Sequence, residues 1–264
     1  MNNALIGYSG FVGTTLRRQT TFEHLYRSTN INDINGKVFD IVVCAAAPAQ
    51  KWLANLNPID DKKNITQLIQ RLKTIKCKHF ILISTVDVFE KAIDIREDTL
   101  PSKNALHAYG TNRLILEDFV RETFENHLIV RLPGLVGPSL KKNIIFDLLN
   151  NNDINKIDSE ATFQFYPMTN LWFDISVALD NNLKLVHLTS EPTKVSDIAK
   201  YGFNLEFSNH VSETPAFYDM KTVHNELYNS NIEGYMYTSK EVFQAVRAYA
   251  QSEPKVDSSP SNTP

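Results

Sequence analysis

The chain has 264 residues, of which 42% are hydrophobic and 22% are charged, the balance of a folded globular protein rather than of a disordered one. This length suits one large α/β domain, or one domain with a modest addition. The net charge is −3 at pH 7, which gives no general electrostatic reason to expect binding to nucleic acid or to a membrane.

The cysteines and the ends of the chain bear on its cellular setting. Cys44 and Cys77 stand in apolar segments without a spaced framework, which favours a reducing, cytoplasmic compartment. We expect no signal peptide, because the first residues lead into a strand without a basic segment. No run nears the roughly 18 apolar residues that span a membrane. Residues 251–264, rich in Ser and Pro, are predicted to be a disordered tail.

The first elements in chain order are a strand, a glycine-rich loop and a short helix. The strand covers Ala4–Ile6, and the helix runs to about Gln19. A second apolar run, Phe22–Tyr26, is separated from the strand at 39–44 by only about a dozen residues. A full βαβ crossover needs more chain than that. The sequence therefore predicts a trimmed nucleotide-binding half.

Strands and helices continue to alternate to about residue 138. A helix with apolar positions Ile65, Leu68, Ile69 and Leu72 leads to a strand at 79–83. A helix near 105–124 then leads to a strand at 128–132. This alternation predicts an α/β fold with a Rossmann-like, doubly wound parallel sheet. Beyond Pro138 the pattern is less regular, and we expect a small C-terminal subdomain there.

Three glycines, Gly7, Gly10 and Gly13, are spaced GxxGxxG between the first strand and the first helix. Glycines in this place let the backbone turn tightly and approach a pyrophosphate, which then sits at the helix N-terminus. Phe11 and Val12, in the first turn of that helix, are predicted to contact the cofactor with them. A glycine-rich loop without a ligand is the alternative.

A second motif follows the strand at 79–83, at the end where open α/β sheets bind their ligands. Tyr109 comes 24 residues after Thr85, and Arg113 lies four positions after Tyr109 on the same helix face. This arrangement resembles the Ser/Thr and Tyr-xxx-Lys of extended short-chain dehydrogenases/reductases, also called the NAD-dependent epimerase/dehydratase family. The resemblance covers roughly residues 4 to 138 and also includes Cys44–Ala47, Asn64 and Arg131–Pro138.

By this resemblance, Tyr109 is the general acid/base of a hydride transfer, and Thr85 bonds the same substrate oxygen. A free tyrosine has a pKa of about 10 and needs a nearby cation to act near neutrality. Arg113 replaces the usual lysine of the family. Arginine keeps its charge and can bond a ribose, but it cannot release a proton. We therefore hypothesise a slowed or substrate-restricted enzyme. A buried tyrosine and a strand-end threonine without catalytic roles remain the alternative.

The residues at the end of the second strand indicate whether the cofactor is NAD or NADP. NAD enzymes place an acid there, whereas this chain has Arg27 and Ser28. An arginine beside a hydroxyl suits a 2′-phosphate, so we expect NADP in preference to NAD. A solvated surface arginine is the alternative. The resemblance adds further cofactor contacts at Tyr109, Arg113, Ala45, Ala46, Ala47 and Pro133.

The substrate is less well specified. Dehydratases of this kind carry two acids after the Ser/Thr; here Val86 takes the first place and Asp87 the second, which disfavours a 4,6-dehydratase. Substrate contacts are expected from Thr85, Asp87, Gly134 and Trp52, the last in a predicted loop at 48–60. A sugar-like alcohol or ketone fits best, with a nucleotide sugar as one option. Histidine spacing predicts no metal site.

Two functions stay open on the sequence. The first is an NAD(P)-dependent oxidoreductase or epimerase, and the second is a non-catalytic NAD(P)-binding sensor or subunit. A homodimer through paired helices is a further option, because Leu114, Leu116 and Phe119 could face either a partner or the core. The predicted division is a cofactor core at 1–138, completed by about 169–190, a substrate-binding part at 139–168 and 191–250, and the tail.

Overall fold

The structure is a computed structural model and describes residues 1–102 and 106–255. Its strands are β1 Asn3–Ile6, β2 His24–Tyr26, β3 Val38–Cys44, β4 Lys76–Thr85, β5 Ile93–Ile95, β6 His127–Leu132, β7 Gly134–Val136, β8 Thr162–Phe163, β9 Phe165–Pro167, β10 Leu185–His187, β11 Thr193–Lys194 and β12 Asp219–Met220. Its helices are α1 Phe11–Gln19, α2 Lys51–Leu56, α3 Pro58–Leu72, α4 Ala108–Thr123, α5 Ile144–Asn150, α6 Leu171–Asp180, α7 Val195–Asp197 and α8 Ser239–Ser252.

Within those residues the main sheet has six strands, in the order β2-β1-β3-β4-β6-β10, and every pairing in it is parallel. The predicted Rossmann-like α/β fold is therefore confirmed. β2 is an edge strand and connects to β3 through a single 3-10 turn at Ile31–Ile34. The short spacing noted in the sequence thus corresponds to a missing crossover helix and strand.

Helices cover both faces of this sheet, as a parallel sheet requires. Side chains alternate along β1, so that Ala4 packs towards α3 and α4, and Leu5 packs towards α1 and α6. The apolar positions of α4 that the sequence left open between core and partner are buried in the chain's own core; they are Leu114, Leu116 and Phe119. These three side chains therefore supply no surface for a homodimer.

The C-terminal part forms a smaller layer with its own core beside the sheet. This core joins β7 and β9 to α5 and α8 through Val136, Phe165, Ile145 and Val246. α8 begins with a capping box, in which the Glu241 N–H donates to Thr238 and the Glu241 carboxylate accepts from the Thr238 N–H. The helix continues to Ser252, two residues into the segment predicted as a tail, and residues 256–264 lie outside the described residues.

The segment 48–60 differs from its prediction as a loop. It contains α2, and Pro58 occupies the first turn of α3, a place where the missing N–H of proline costs nothing. α2 is two turns at most, too short to give a clear helical periodicity. The predicted helix near 105–124 begins at Ala108, and its residue 105 falls outside the described residues.

A buried ion pair joins α4 to the centre of the sheet. The Arg131 guanidinium on β6 donates two hydrogen bonds to the Glu117 carboxylate on α4, at 3.1 and 2.7 Å. The Ser84 hydroxyl, at the end of β4, donates a third at 2.6 Å. Burial opposes ionisation of Glu117, but the bonds from Arg131 and Ser84 outweigh it and lower the pKa of this carboxyl. Glu117 is fully buried.

Glu117→Gln is expected to lower the free energy of unfolding by about 3–5 kcal/mol, because it leaves the Arg131 charge buried without a counter-charge. Urea unfolding of the purified variant measures this. Glu160→Gln is the matched control, because Glu160 pairs with Lys194 at 2.6 Å where both side chains are over 40% exposed, and exposed pairs contribute little. Equal effects of the two substitutions would contradict this account.

A second buried carboxylate, Asp174 on α6, holds the C-terminal part against the sheet. The hydroxyls of Tyr166 and Tyr237 both donate to its Oδ2, the latter at 2.7 Å. Burial raises the pKa of Asp174 to about 6, and the two tyrosine bonds only partly oppose this. The described residues show no cation paired with it, unlike Glu117.

Asp174 should therefore make stability depend on pH. Its folded pKa lies above the value of about 3.9 in an unfolded chain. The stabilisation is therefore complete below about pH 4 and is lost as the pH rises through about 6, a loss of about 3 kcal/mol. The difference in unfolding free energy between wild type and Asp174→Asn is expected to fall by that amount between about pH 4 and pH 7. A constant difference would contradict the prediction; Asp180→Asn, an exposed carboxylate at the end of α6, is the control.

Candidate functional site

The carboxyl ends of the main-sheet strands open into one cleft of about 2390 Å³. This is larger than the roughly 300–1,000 Å³ typical of a pocket for a single small ligand. The predicted site residues converge there, with one exception, Gly13, which does not line the cleft. Those that line it are Gly7, Gly10, Phe11, Val12, Arg27, Ser28, Ala45, Ala46, Ala47, Trp52, Thr85, Asp87, Tyr109, Arg113, Pro133 and Gly134.

Each of the three glycines occupies its position for a different local reason. Gly7 has φ +87°, and a Cβ there would lie 2.4 Å from the Ala45 carbonyl oxygen. Gly13 packs α1 onto the loop, because a Cβ would lie 2.1 Å from the Gly7 oxygen. At Gly10 a Cβ would meet nothing closer than the Gly7 oxygen, at 3.5 Å. The protein itself therefore leaves the space over Gly10 open to the cleft.

The start of α1 fits an anion. Gly10 is its N-cap and no side chain caps the first turn, so the N–H groups of Phe11 and Val12, which line the cleft, have no side-chain acceptor. Unpaired N–H groups and the helix dipole together favour negative charge at such a position. The loop and helix can thus hold a phosphate group.

Thr85 and Tyr109 also line the cleft. Thr85 ends β4, and its Oγ1 accepts the N–H of Asp87 at 3.1 Å. The Thr85 hydroxyl also acts on the Tyr109 phenol and lowers the pKa of Tyr109. Gly110 allows this approach, because a Cβ there would lie 2.2 Å from the Asp87 carbonyl oxygen. The sequence reasoning missed the role of Gly110, because the residue that it packs against, Asp87, is 23 residues away in the chain.

Burial dominates the titration of Tyr109, whose residue is only 8% exposed. Desolvation raises its pKa above the usual value, and the Asp87 carboxylate also raises it. Arg113, Thr85 and Lys51 act in the other direction and favour the tyrosinate. A phenol in this setting holds its proton at neutral pH and can give it up when a cation is near.

Arg113 is buried, and both terminal nitrogens of its guanidinium donate hydrogen bonds. Its guanidinium carbon lies 3.9 Å from the centre of the Tyr109 ring. Its NH1 donates to the Asp61 carboxylate on α3 and its NH2 donates to the Pro48 carbonyl. The Asn112 amide donates to the same Asp61 oxygen at 2.7 Å. Asp61 is 5% exposed and was not identified from the sequence.

Asp87 has partners that the sequence did not identify. Lys51 on α2 forms an ion pair with it at 2.6 Å, and the Tyr218 hydroxyl lies 3.4 Å from both groups. Burial alone would lower the pKa of Lys51, but Asp87 outweighs burial and raises it. Trp52, next on α2, lines the cleft with 67% of its surface exposed.

The lining of the cleft is basic overall and includes Arg27. Arg27 is exposed, donates to the Thr29 hydroxyl at 3.0 Å and lies 5.8 Å from the centre of the Tyr8 ring. Ser28 lines the cleft beside it. Among the described residues, seven basic and three acidic side chains line the cleft, so its charge is opposite to the net charge of the chain. Sequence reasoning missed Arg18, Arg71, Asp147 and Asp153 among them.

Two further properties concern the described residues only. Residues 1–102 and 106–255 contain no helix with the length and apolar character to cross a membrane. The same residues contain no group of three His, Cys, Asp or Glu side chains placed to hold a metal ion.

The comparisons with known proteins show similarity in structure only. No protein-family model matches the sequence, and no curated protein matches it. A dTDP-4-dehydrorhamnose reductase ortholog from Clostridium acetobutylicum is 16% identical, with a TM-score of 0.72 over 95% of this chain and 99% of that one. RMD from Pseudomonas aeruginosa, solved with NADPH, is 17% identical, with a TM-score of 0.70 over 95% and 100%.

A UDP-glucose 4-epimerase from Thermotoga maritima, solved with UDP-glucose, is similar at 12% identity, with a TM-score of 0.69 over 95% of this chain and 98% of that one. At such identities the likeness establishes the fold. The resemblance to extended short-chain dehydrogenases/reductases, found first in the sequence, is therefore confirmed at the level of the fold, over nearly the whole chain.

Proposed function

We propose that this protein is a divergent extended short-chain dehydrogenase/reductase that uses NADPH to reduce the ketone of a nucleotide-linked sugar. The observation that carries the proposal is the convergence of Thr85 and Tyr109 on the wall of the cleft that also contains the glycine loop. Structural neighbours named as reductases of such sugars, and one solved with NADPH, support it. Epimerisation of the same substrates is the related alternative.

The residues present fit a dinucleotide. The open space over Gly10 and the uncapped first turn of α1 would receive the diphosphate. Arg27 and Ser28 would receive the phosphorylated ribose, and Ala45–Ala47 would line the path to Tyr109. Pro133 and Gly134 also line the cleft and would contact the nicotinamide and the substrate.

When bound, the reduced nicotinamide supplies the hydride. The residues of the chain perform the rest of the reaction. Thr85 would hold the ketone oxygen in line, because it lines the cleft together with Tyr109. Tyr109 donates its phenolic proton to that oxygen as negative charge develops there, and burial keeps the phenol protonated until then. Asp87 and Trp52 line the same cleft and would contact the sugar.

Tyr109→Phe is expected to lower kcat/KM for a nucleotide-linked 4-keto sugar by about 10²–10⁴-fold, because the variant has no proton to donate. The dissociation constant of NADPH should stay nearly the same. Loss of NADPH absorbance measures the rate, and fluorescence titration measures binding. Tyr201→Phe is the matched control, because Tyr201 is 47% exposed and outside the cleft. A wild-type rate in Tyr109→Phe would exclude Tyr109 as the proton donor of the reaction.

Arg27→Ala is expected to weaken NADPH binding by about 10–100-fold, the equivalent of one charge-assisted hydrogen-bonded pair, and to change NADH binding little. Arg17→Ala is a close control, because Arg17 also lies over the Tyr8 ring, at 5.4 Å, but does not line the cleft. Parallel fluorescence titrations with both cofactors give the two ratios. Equal weakening of NADPH and NADH would exclude recognition of the 2′-phosphate by Arg27.

A second candidate, a cofactor-binding sensor without turnover, is favoured by Arg113. Its guanidinium is bound to Asp61 and to the Pro48 carbonyl, which leaves only Nε without a partner. An arginine so engaged has limited capacity to bond a ribose as the family lysine does. Tight NADPH binding without turnover on a panel of dTDP-, UDP- and GDP-linked keto sugars would favour this candidate over the reductase.

A further inference from the structure

α2 contacts Tyr109 directly and is linked to Thr85 through Asp87. The Asn55 side chain accepts the backbone N–H of Tyr109 at 3.0 Å. One turn earlier, Lys51 pairs with Asp87 at 2.6 Å, and the Asp87 N–H donates to Thr85. Because α2 was predicted as a loop, none of these contacts was expected. The helix thus bridges the start of α4 and the end of β4.

The Asp87 carboxylate creates an electrostatic difficulty for Tyr109. A negative charge close to a phenol disfavours its ionisation and holds its pKa high. Tyr109 must nevertheless carry negative charge after it has given its proton to substrate. The charged and titratable groups that face or flank it are Arg113 and His107 on or at its own helix, Asp87 after β4, Lys51 on α2, Tyr218 in the C-terminal part, and Asp61 behind Arg113.

We propose that Lys51 is a positioning residue that neutralises Asp87, and so allows the buried Tyr109 to ionise in a site whose family lysine is replaced. The inference deepens the function proposed above and rests on it. Lys51 acts through Asp87, with which it forms both an ion pair and a hydrogen bond. Its side chain is 39% exposed, and the pairing with Asp87 outweighs the desolvation that would lower its pKa, so its charge is retained.

Arg113 does not make Lys51 redundant. The arginine is 2% exposed, and its charge is already shared with the buried Asp61. Asp87 has no second cation within salt-bridge distance among the described residues. Without Lys51, therefore, Asp87 would stand as an uncompensated anion beside Thr85 and Tyr109. Each cation therefore offsets one carboxylate: Lys51 offsets Asp87, and Arg113 offsets Asp61.

The test measures Tyr109 directly and needs neither cofactor nor substrate. We would introduce 3,5-difluorotyrosine at position 109 of the full chain, because its phenol ionises nearer neutrality and its fluorine NMR shift reports the ionisation. The midpoint of that titration is then compared in wild type, Lys51→Gln, Lys51→Arg, Asp87→Asn and the double variant Lys51→Gln/Asp87→Asn. Dispersed fluorine spectra and thermal unfolding verify that each variant is folded.

Lys51→Gln is expected to raise the midpoint by about 1 pH unit, and Asp87→Asn to lower it by a similar amount. The double variant should return close to wild type, and Lys51→Arg should stay there, because the charge is retained. Lys78→Gln is the matched control, since Lys78 forms the same kind of pair with Asp40, at 2.7 Å, outside the cleft; its midpoint should not move.

An unchanged midpoint in Lys51→Gln, or no recovery in the double variant, would overturn the inference about Lys51. That result would leave the reductase proposal intact, because the proposal depends on the rates of Tyr109→Phe. Conversely, the midpoint could move as expected in a protein that shows no turnover. That result would support Lys51 as the compensating cation and contradict the reductase proposal. The two failures are therefore separable.

Discussion

The Glu117 carboxylate and the Arg131 guanidinium form the contact on which the geometry of the cleft depends. They join α4 to β6, and through the Ser84 hydroxyl they also join α4 to β4. Thr85 follows Ser84 directly, and Tyr109 lies about two turns before Glu117 on the same helix. Removing two charges from water is costly, and only mutual pairing offsets that cost. The buried pair therefore fixes the relative position of the two residues that meet at the cleft.

The N-terminal turn of α4 is fixed by different contacts of the same kind. Arg113 and Asp61 join it to α3, and the close packing of Gly110 on the Asp87 carbonyl joins it to the end of β4. Both contacts that hold the helix, at Arg113 and at Glu117, thus pair a carboxylate with an arginine inside the protein. A helix held in this way presents the Tyr109 phenol with little freedom, and reaction geometry benefits from such rigidity.

The parts of this site that sequence could predict are those whose signal is local in the chain. The glycines sit within one loop, and Tyr109 and Arg113 lie one turn apart, so their spacing, with the resemblance to the family, was enough to predict one shared site, and all of them except Gly13 line one cleft. Lys51 and Asp87 are 36 residues apart, Arg113 and Asp61 are 52 apart, and Tyr218 is 131 residues from Asp87. No periodicity indicates such pairs, because they arise only when the sheet brings the segments together. The fold was predictable for the same reason, since strand–helix alternation is a local pattern.

The distribution of charge supports the proposed reductase over the second candidate, a protein that only binds the cofactor. A binding protein needs the glycine loop and the basic lining of the cleft that includes Arg27. It has no need of a carboxylate beside Tyr109, or of a cation on α2 to offset that carboxylate. Each of these charged groups is partly or fully desolvated, which destabilises the fold unless it is paired. An arrangement that balances charge around one phenol is what proton transfer requires, because the phenol must be stable both with and without its proton.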